Sequence, residues 1–142
     1  IAYKDGSSEF VKNITFTIRL SPGKSPVALS QEFFAIAVTT HDKFWPNVYD
    51  NQTYAEDTRV SCDIPAGSSG EVAACIYPIL DGGARGYLEQ GDKFLVIVAF
   101  KDSTIGPGTN TQVTIELKPA IGNVLTVQRI TPLSLTNVMY LG

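Results

Sequence analysis

The chain has 142 residues, enough for one domain that buries roughly 68–70% of the surface its unfolded form would expose. It is 44% hydrophobic and 18% charged, with a net charge of −3 and a pI near 5.0. An acidic balance without basic blocks excludes an ordinary nucleic-acid partner, and no apolar run is long enough for a transmembrane helix.

In chain order, Phe10 to Leu20 alternates Ile14, Phe16, Ile18 and Leu20 with Thr15, Thr17 and Arg19, the period of a half-buried strand. Ser21 to Pro26 carries turn residues. Phe33 to Thr40 is apolar enough to be buried on both sides at its centre. His41 to Asp57 has no periodicity and is expected to be a long exposed loop holding Phe44, Trp45, Tyr49 and Tyr54. Arg59 to Asp63 and Val72 to Leu80 read as two arms of a hairpin. Phe94 to Phe100 is a nearly continuous β-favouring run, expected as a central strand. Val113, Ile115 and Leu117 alternate with polar residues, and Pro119 and Gly122-Asn123 then turn the chain. Leu125 and Val127 alternate on the return, and Pro132 ends it. The pair is an expected antiparallel hairpin with Ile115, Leu117, Leu125 and Val127 facing the core. A short strand near Val138 closes the chain.

These elements predict an all-β chain, an immunoglobulin-like two-sheet β-sandwich of about eight strands. Its core would comprise Ile14, Phe16, Ile18, Ile36, Val38, Val96, Val98, Ile115, Leu117, Leu125 and Val127. No segment carries a helical stripe, and no internal repeat or low-complexity tract occurs.

Cys62 and Cys75 are the two cysteines. A turn centred between Ser68 and Ser69 places them opposite each other across the expected hairpin, where a bridge would stabilise by about 3 kcal/mol. Two separate buried thiols are the other reading. Two cysteines and a single histidine, His41, do not make a four-ligand zinc site. A Ser–His–Asp relay would have to use His41, and Gly-x-Ser-x-Gly is absent. A surface or capping histidine is the simpler reading, and no catalytic residue is assigned. The loop richest in side-chain oxygen contains Asp50, Glu56 and Asp57, which suit a divalent ion such as Ca²⁺; a solvated acidic loop is the alternative. Asn13-Ile-Thr15 and Asn51-Gln-Thr53 are N-glycosylation triplets, the second in the expected loop. The aromatic residues of that loop suit sugar stacking, a subunit contact or the domain's own core.

The run Ile115-Glu116-Leu117-Lys118-Pro119 with Gly122, Leu125, Val127, Arg129 and Pro132 resembles the C-terminal region of archaellins, the filament subunits of the archaeal flagellum. Ile14 to Ser30 is similar to the archaellin strand that enters a Gly-Ser-x-Pro-Ile-Asp-Leu-Ser turn, with Lys24 and Ala28 departing from that pattern. The resemblance implies an extracellular outer β-sandwich domain, spanning residues 1–142, without the hydrophobic N-terminal helix of the filament core. It implies a non-enzymatic role in motility, self-assembly with identical or paralogous subunits, N-glycans at Asn51 and Asn13, and a divalent metal in some members. It implies no membrane contact by this domain. Two rival expectations are an accessory envelope-anchoring sandwich of the same machinery and a carbohydrate-binding module.

Overall fold

The computed structural model describes residues 2–4, 10–20, 27–28, 34–41, 43–49, 71–80, 87–88, 91–101, 105–120, 123–134 and 138–139. Its strands are β1 (Ala2–Lys4), β2 (Val11–Ile18), β3 (Val27–Ala28), β4 (Phe34–Thr39), β5 (Phe44–Trp45), β6 (Val72–Leu80), β7 (Tyr87–Leu88), β8 (Lys93–Phe100), β9 (Gln112–Pro119), β10 (Leu125–Ile130) and β11 (Val138–Met139). They form a five-stranded sheet in the order β11-β1-β2-β8-β6 and a four-stranded sheet in the order β10-β9-β4-β5. A separate pair joins β3 and β7. All strand pairs within the sheets are antiparallel. One apolar core draws Ile14, Val96, Val98 and Ile76 from the five-stranded sheet and Ile36, Val38, Val113, Ile115 and Leu117 from the other. The chain is therefore a two-sheet β-sandwich.

The alternation in the sequence sets most of this. In β9, Val113, Ile115 and Leu117 are buried, while Thr114, Glu116 and Lys118 are half-buried on the outer face. β8 lies between β2 and β6, as its unbroken apolar run predicts, with Phe94, Val96 and Val98 fully buried. At the centre of β4, Ile36, Ala37 and Val38 are all buried. Along β2 the strict alternation breaks once. Tyr3 pairs with Asn13 and Lys4 with Val11, so Lys12 is an extra residue. This bulge turns both Val11 and Ile14 into the core, although they differ in parity. Pro78 is accommodated because β6 is an edge strand, and the register slips between Pro78 and Leu80.

The structure has more strands than the expected eight because the short strands β1, β3, β5 and β7 are added to them. Pieces of two or three residues carry no readable period. The hairpin β9–β10 has the expected pairing, with Leu125 opposite Leu117 and Val127 opposite Ile115. Its core assignment needs correction. Leu125 remains 48% exposed and Val127 is half-buried, because β10 is the last strand of its sheet. Phe16 is likewise half-buried and packs against the core from its margin.

Candidate assembly surface

The expected exposed loop after β4 is instead, over residues 43–49, a strap that closes one side of the sandwich. Thr40 N–H donates to the Lys43 carbonyl (2.9 Å), and β5 pairs with Val38 and Thr39. Pro46 then ends the pairing, and Asn47 takes it over. Its Oδ1 accepts from Ile36 N–H (3.3 Å) and from Tyr49 N–H (3.1 Å). Val48 N–H donates to the Ile36 carbonyl (2.8 Å), while the Val48 carbonyl accepts from Ala74 N–H (2.8 Å). Ile36 is in the four-stranded sheet and Ala74 is in the five-stranded one, so this segment hydrogen-bonds both. Tyr49 forms a parallel bridge with Ala74 and an edge-on contact with Phe34, with centroids 5.5 Å apart at 71°.

This arrangement reassigns the aromatic residues. Val38 is a core residue and pairs with Trp45, so Trp45 is on the inner face, packed against the core. Its indole N–H donates to Glu71 Oε2 (3.2 Å). Tyr49 is buried. Only Phe44 of these described rings stands out in solvent, on the outer face beside Thr39. Tyr54 lies outside the described residues. A ring platform for sugars therefore loses Trp45 and Tyr49.

The opposite edge of the four-stranded sheet is different. Among the described residues β10 has one strand neighbour, β9. The large apolar side chains exposed around it are Val124, Leu125, Ile130 and Leu133. Its C-terminal end is fixed by Thr131, which is buried. The Thr131 hydroxyl donates to the Gly108 carbonyl (2.6 Å) and accepts from Thr111 N–H (2.8 Å). Asn110, the one described non-glycine residue in the left-handed region (φ 48), donates its N–H to the Pro132 carbonyl. The same connection holds the start of β2, where Val11 N–H donates to the Pro107 carbonyl (2.9 Å). A Cβ at Gly106 would collide with the Phe10 ring, so a glycine is required there.

The expected site residues fall as follows. Cys75 is half of a disulfide, on the face of β6 opposite to Ala74 and Ile76 of the core. With Ala99 it forms a small buried cluster flanked by Ala73 and Ile97. Cys62, and with it the hairpin arm 59–63, lies outside the described residues. At Ala74 the edge of β6 away from β8 bonds the Val48 carbonyl. Asn13 and Thr15 are half-buried neighbours on the outer face of β2. Asp50, Asn51, Glu56 and Asp57 lie outside the described residues. Among the described residues no three His, Cys, Asp or Glu side chains gather to hold a metal. His41 is exposed at the end of β4.

Sequence reasoning missed Asn47 and Thr131. Asn47 had a signal. An asparagine after proline, bonding the N–H two residues on, is an Asx turn. Thr131 had only its place between a strand and Pro132.

No family model and no curated protein sequence matches the chain. Among solved structures, it is similar to the crystal structure of archaeal flagellin FlaB1 from Methanocaldococcus jannaschii. The TM-score is 0.73 at 16% identity, over 95% of this chain and 87% of that one. At that identity the likeness establishes the fold: the chain is a flagellin-like two-sheet β-sandwich.

Proposed function

We propose that this chain is the outer domain of an archaellum filament subunit, extracellular and non-enzymatic, supporting motility by self-assembly. The observation that carries this reading is the agreement of fold with an archaeal flagellin along nearly the whole chain. The two sequence stretches that resemble archaellins support it independently. One contains most of β9 and all of β10, and the other contains most of β2 and all of β3. Mass spectrometry of filaments sheared from the source cells tests it. The chain is expected among their most abundant proteins; recovery only with the cell envelope counts for an accessory anchoring role instead.

The site assignments belong to the same proposal. Cys62 is the partner of Cys75, which a non-reduced peptide map checks by a linked fragment. N-glycans sit on Asn13 and Asn51. Asn13 and Thr15 share the outer face of a strand, where a glycan would project away from the core. Asp50, Glu56 and Asp57 hold a divalent cation, tested by whether Ca²⁺ raises the melting temperature of the chain and whether Asp57→Asn removes the rise.

A further inference from the structure

The triplet Asn13-Ile14-Thr15 is not in a loop, where an N-glycosylation acceptor is ordinarily met. It lies within β2, which has a strand on each side, β1 and β8. Asn13 pairs with Tyr3 of β1 and with Ala99 of β8. Ile14 pairs with Ala2 and Val98, and Thr15 pairs with Ile97. In antiparallel ladders the bonding direction alternates along a strand, so the backbone of the triplet is shared between two seams.

Burial adds a second restraint. Ile14, the middle residue, is 5% exposed and belongs to the apolar core. Asn13 and Thr15 are half-buried on the outer face, whereas Lys12 and Thr17 of the same strand are exposed. The strand is also held at its start. Val11 N–H donates to the Pro107 carbonyl (2.9 Å), and the buried Phe10 ring packs against Gly106. A transferase that reads this triplet has to reach the Asn13 amide and the Thr15 hydroxyl together, around the backbone that joins them. On the folded chain that requires β2 to leave both neighbours and Ile14 to leave the core.

We infer that Asn13 accepts its glycan before β2 is built into the sheet, and that folding then closes the site. The inference rests on the proposed glycosylation of Asn13 and adds when it happens. In the transfer, Asn13 Nδ2 attacks the anomeric carbon of an oligosaccharide carried on a lipid phosphate. The nitrogen–carbon bond forms and the carbon–oxygen bond to phosphate breaks. The lipid phosphate leaves with the electron pair, and one amide proton passes to a base of the transferase. The product is compatible with the fold, because Asn13 is on the face opposite Ile14 and the sugar stays outside the core. Occupancy is set by a race between transfer and folding, and a chain that folds bare stays bare.

Mass spectrometry of Asn13 tests this. The substrates, all made without glycans, are the folded 142-residue chain, the Val98→Asp chain that should not fold, and a peptide of residues 10–20. Each is given to source-cell membranes that carry the transferase and its lipid-linked sugar, beside a generic Asn-x-Thr peptide that reports activity. The peptide and the Val98→Asp chain should be modified at Asn13. The folded chain should be modified about a hundredfold more slowly or less, because the open triplet is reached only by unfolding much of the sheet. The peptide supplies the comparison if the Val98→Asp chain retains structure. A folded chain modified as fast as the peptide overturns the timing and leaves the glycosylation reading standing. No modification of Asn13 in any substrate, with the generic peptide modified, overturns that reading and the timing with it. In source cells, pulse-labelled chains should show no rise in Asn13 occupancy once folded; a continued rise overturns the inference.

Discussion

The two edges of the four-stranded sheet solve the same problem in opposite ways. Any edge strand carries backbone donors and acceptors without a strand partner. On the β4 side the chain folds back on itself, and Lys43, Asn47 and Val48 satisfy the edge while Val48 also reaches the other sheet. On the β10 side the strand is longer, flanked by exposed aliphatics, and met by no neighbour among the described residues. The first edge is tied to the rest of the fold; the second keeps aliphatic side chains exposed among the described residues. Substitutions should separate the two edges, with stability responding more on the strap side than on the β10 side.

Both edges depend on the shared core, so the largest effect comes from breaking it. Val98 is fully buried. Val98→Asp should abolish folding, since an unpaired buried carboxylate costs several kcal/mol, comparable to the whole stability of a domain. A soluble, cooperatively melting variant would show that the core is elsewhere. Removing the disulfide by Cys75→Ser should cost about 3 kcal/mol, measured by urea unfolding. A cost near zero would mean that the bridge does not constrain the unfolded chain.

Asn47→Ala strips the strap of the oxygen that serves two backbone N–H groups. It should cost about 2 kcal/mol and speed hydrogen exchange at Ile36 and Tyr49. Thr131→Val orphans the Thr111 N–H and the Gly108 carbonyl at the C-terminal end of β10. It should cost about 1–3 kcal/mol, measured by urea unfolding. The smallest stability effect belongs to the open edge. Ile130→Ser should change unfolding free energy by no more than about 0.5 kcal/mol. A larger loss would mean that β10 contributes more to the core than its exposure indicates.

How much of this was legible follows from period and length. Strands of six to nine residues that bury one face announced themselves. β8 and β9 were placed correctly from their apolar patterns, and the β9–β10 pairing followed from the turn residues between them. The strap was not legible as structure. Trp45 and Tyr49 lack a period because they enter the core from a segment with only two residues in β conformation. Asn47 carried the one local clue. The exposure of Leu125 was also hidden, since alternation specifies which face a residue occupies and not whether another sheet covers it. Of the site residues, the outer-face placement of Asn13 and Thr15 followed from β2 alternation. The bonding of Ala74 to Val48 depended on a long-range contact that no local pattern encodes.

The central claim is that this sandwich forms the repeating exterior of a filament. Immunogold electron microscopy of intact source cells, with antibodies raised against the 142-residue chain, tests it most directly. Label spaced along the full length of the surface filaments is the expected result. Label confined to the filament base or the cell envelope, with bare filaments beyond, would contradict it.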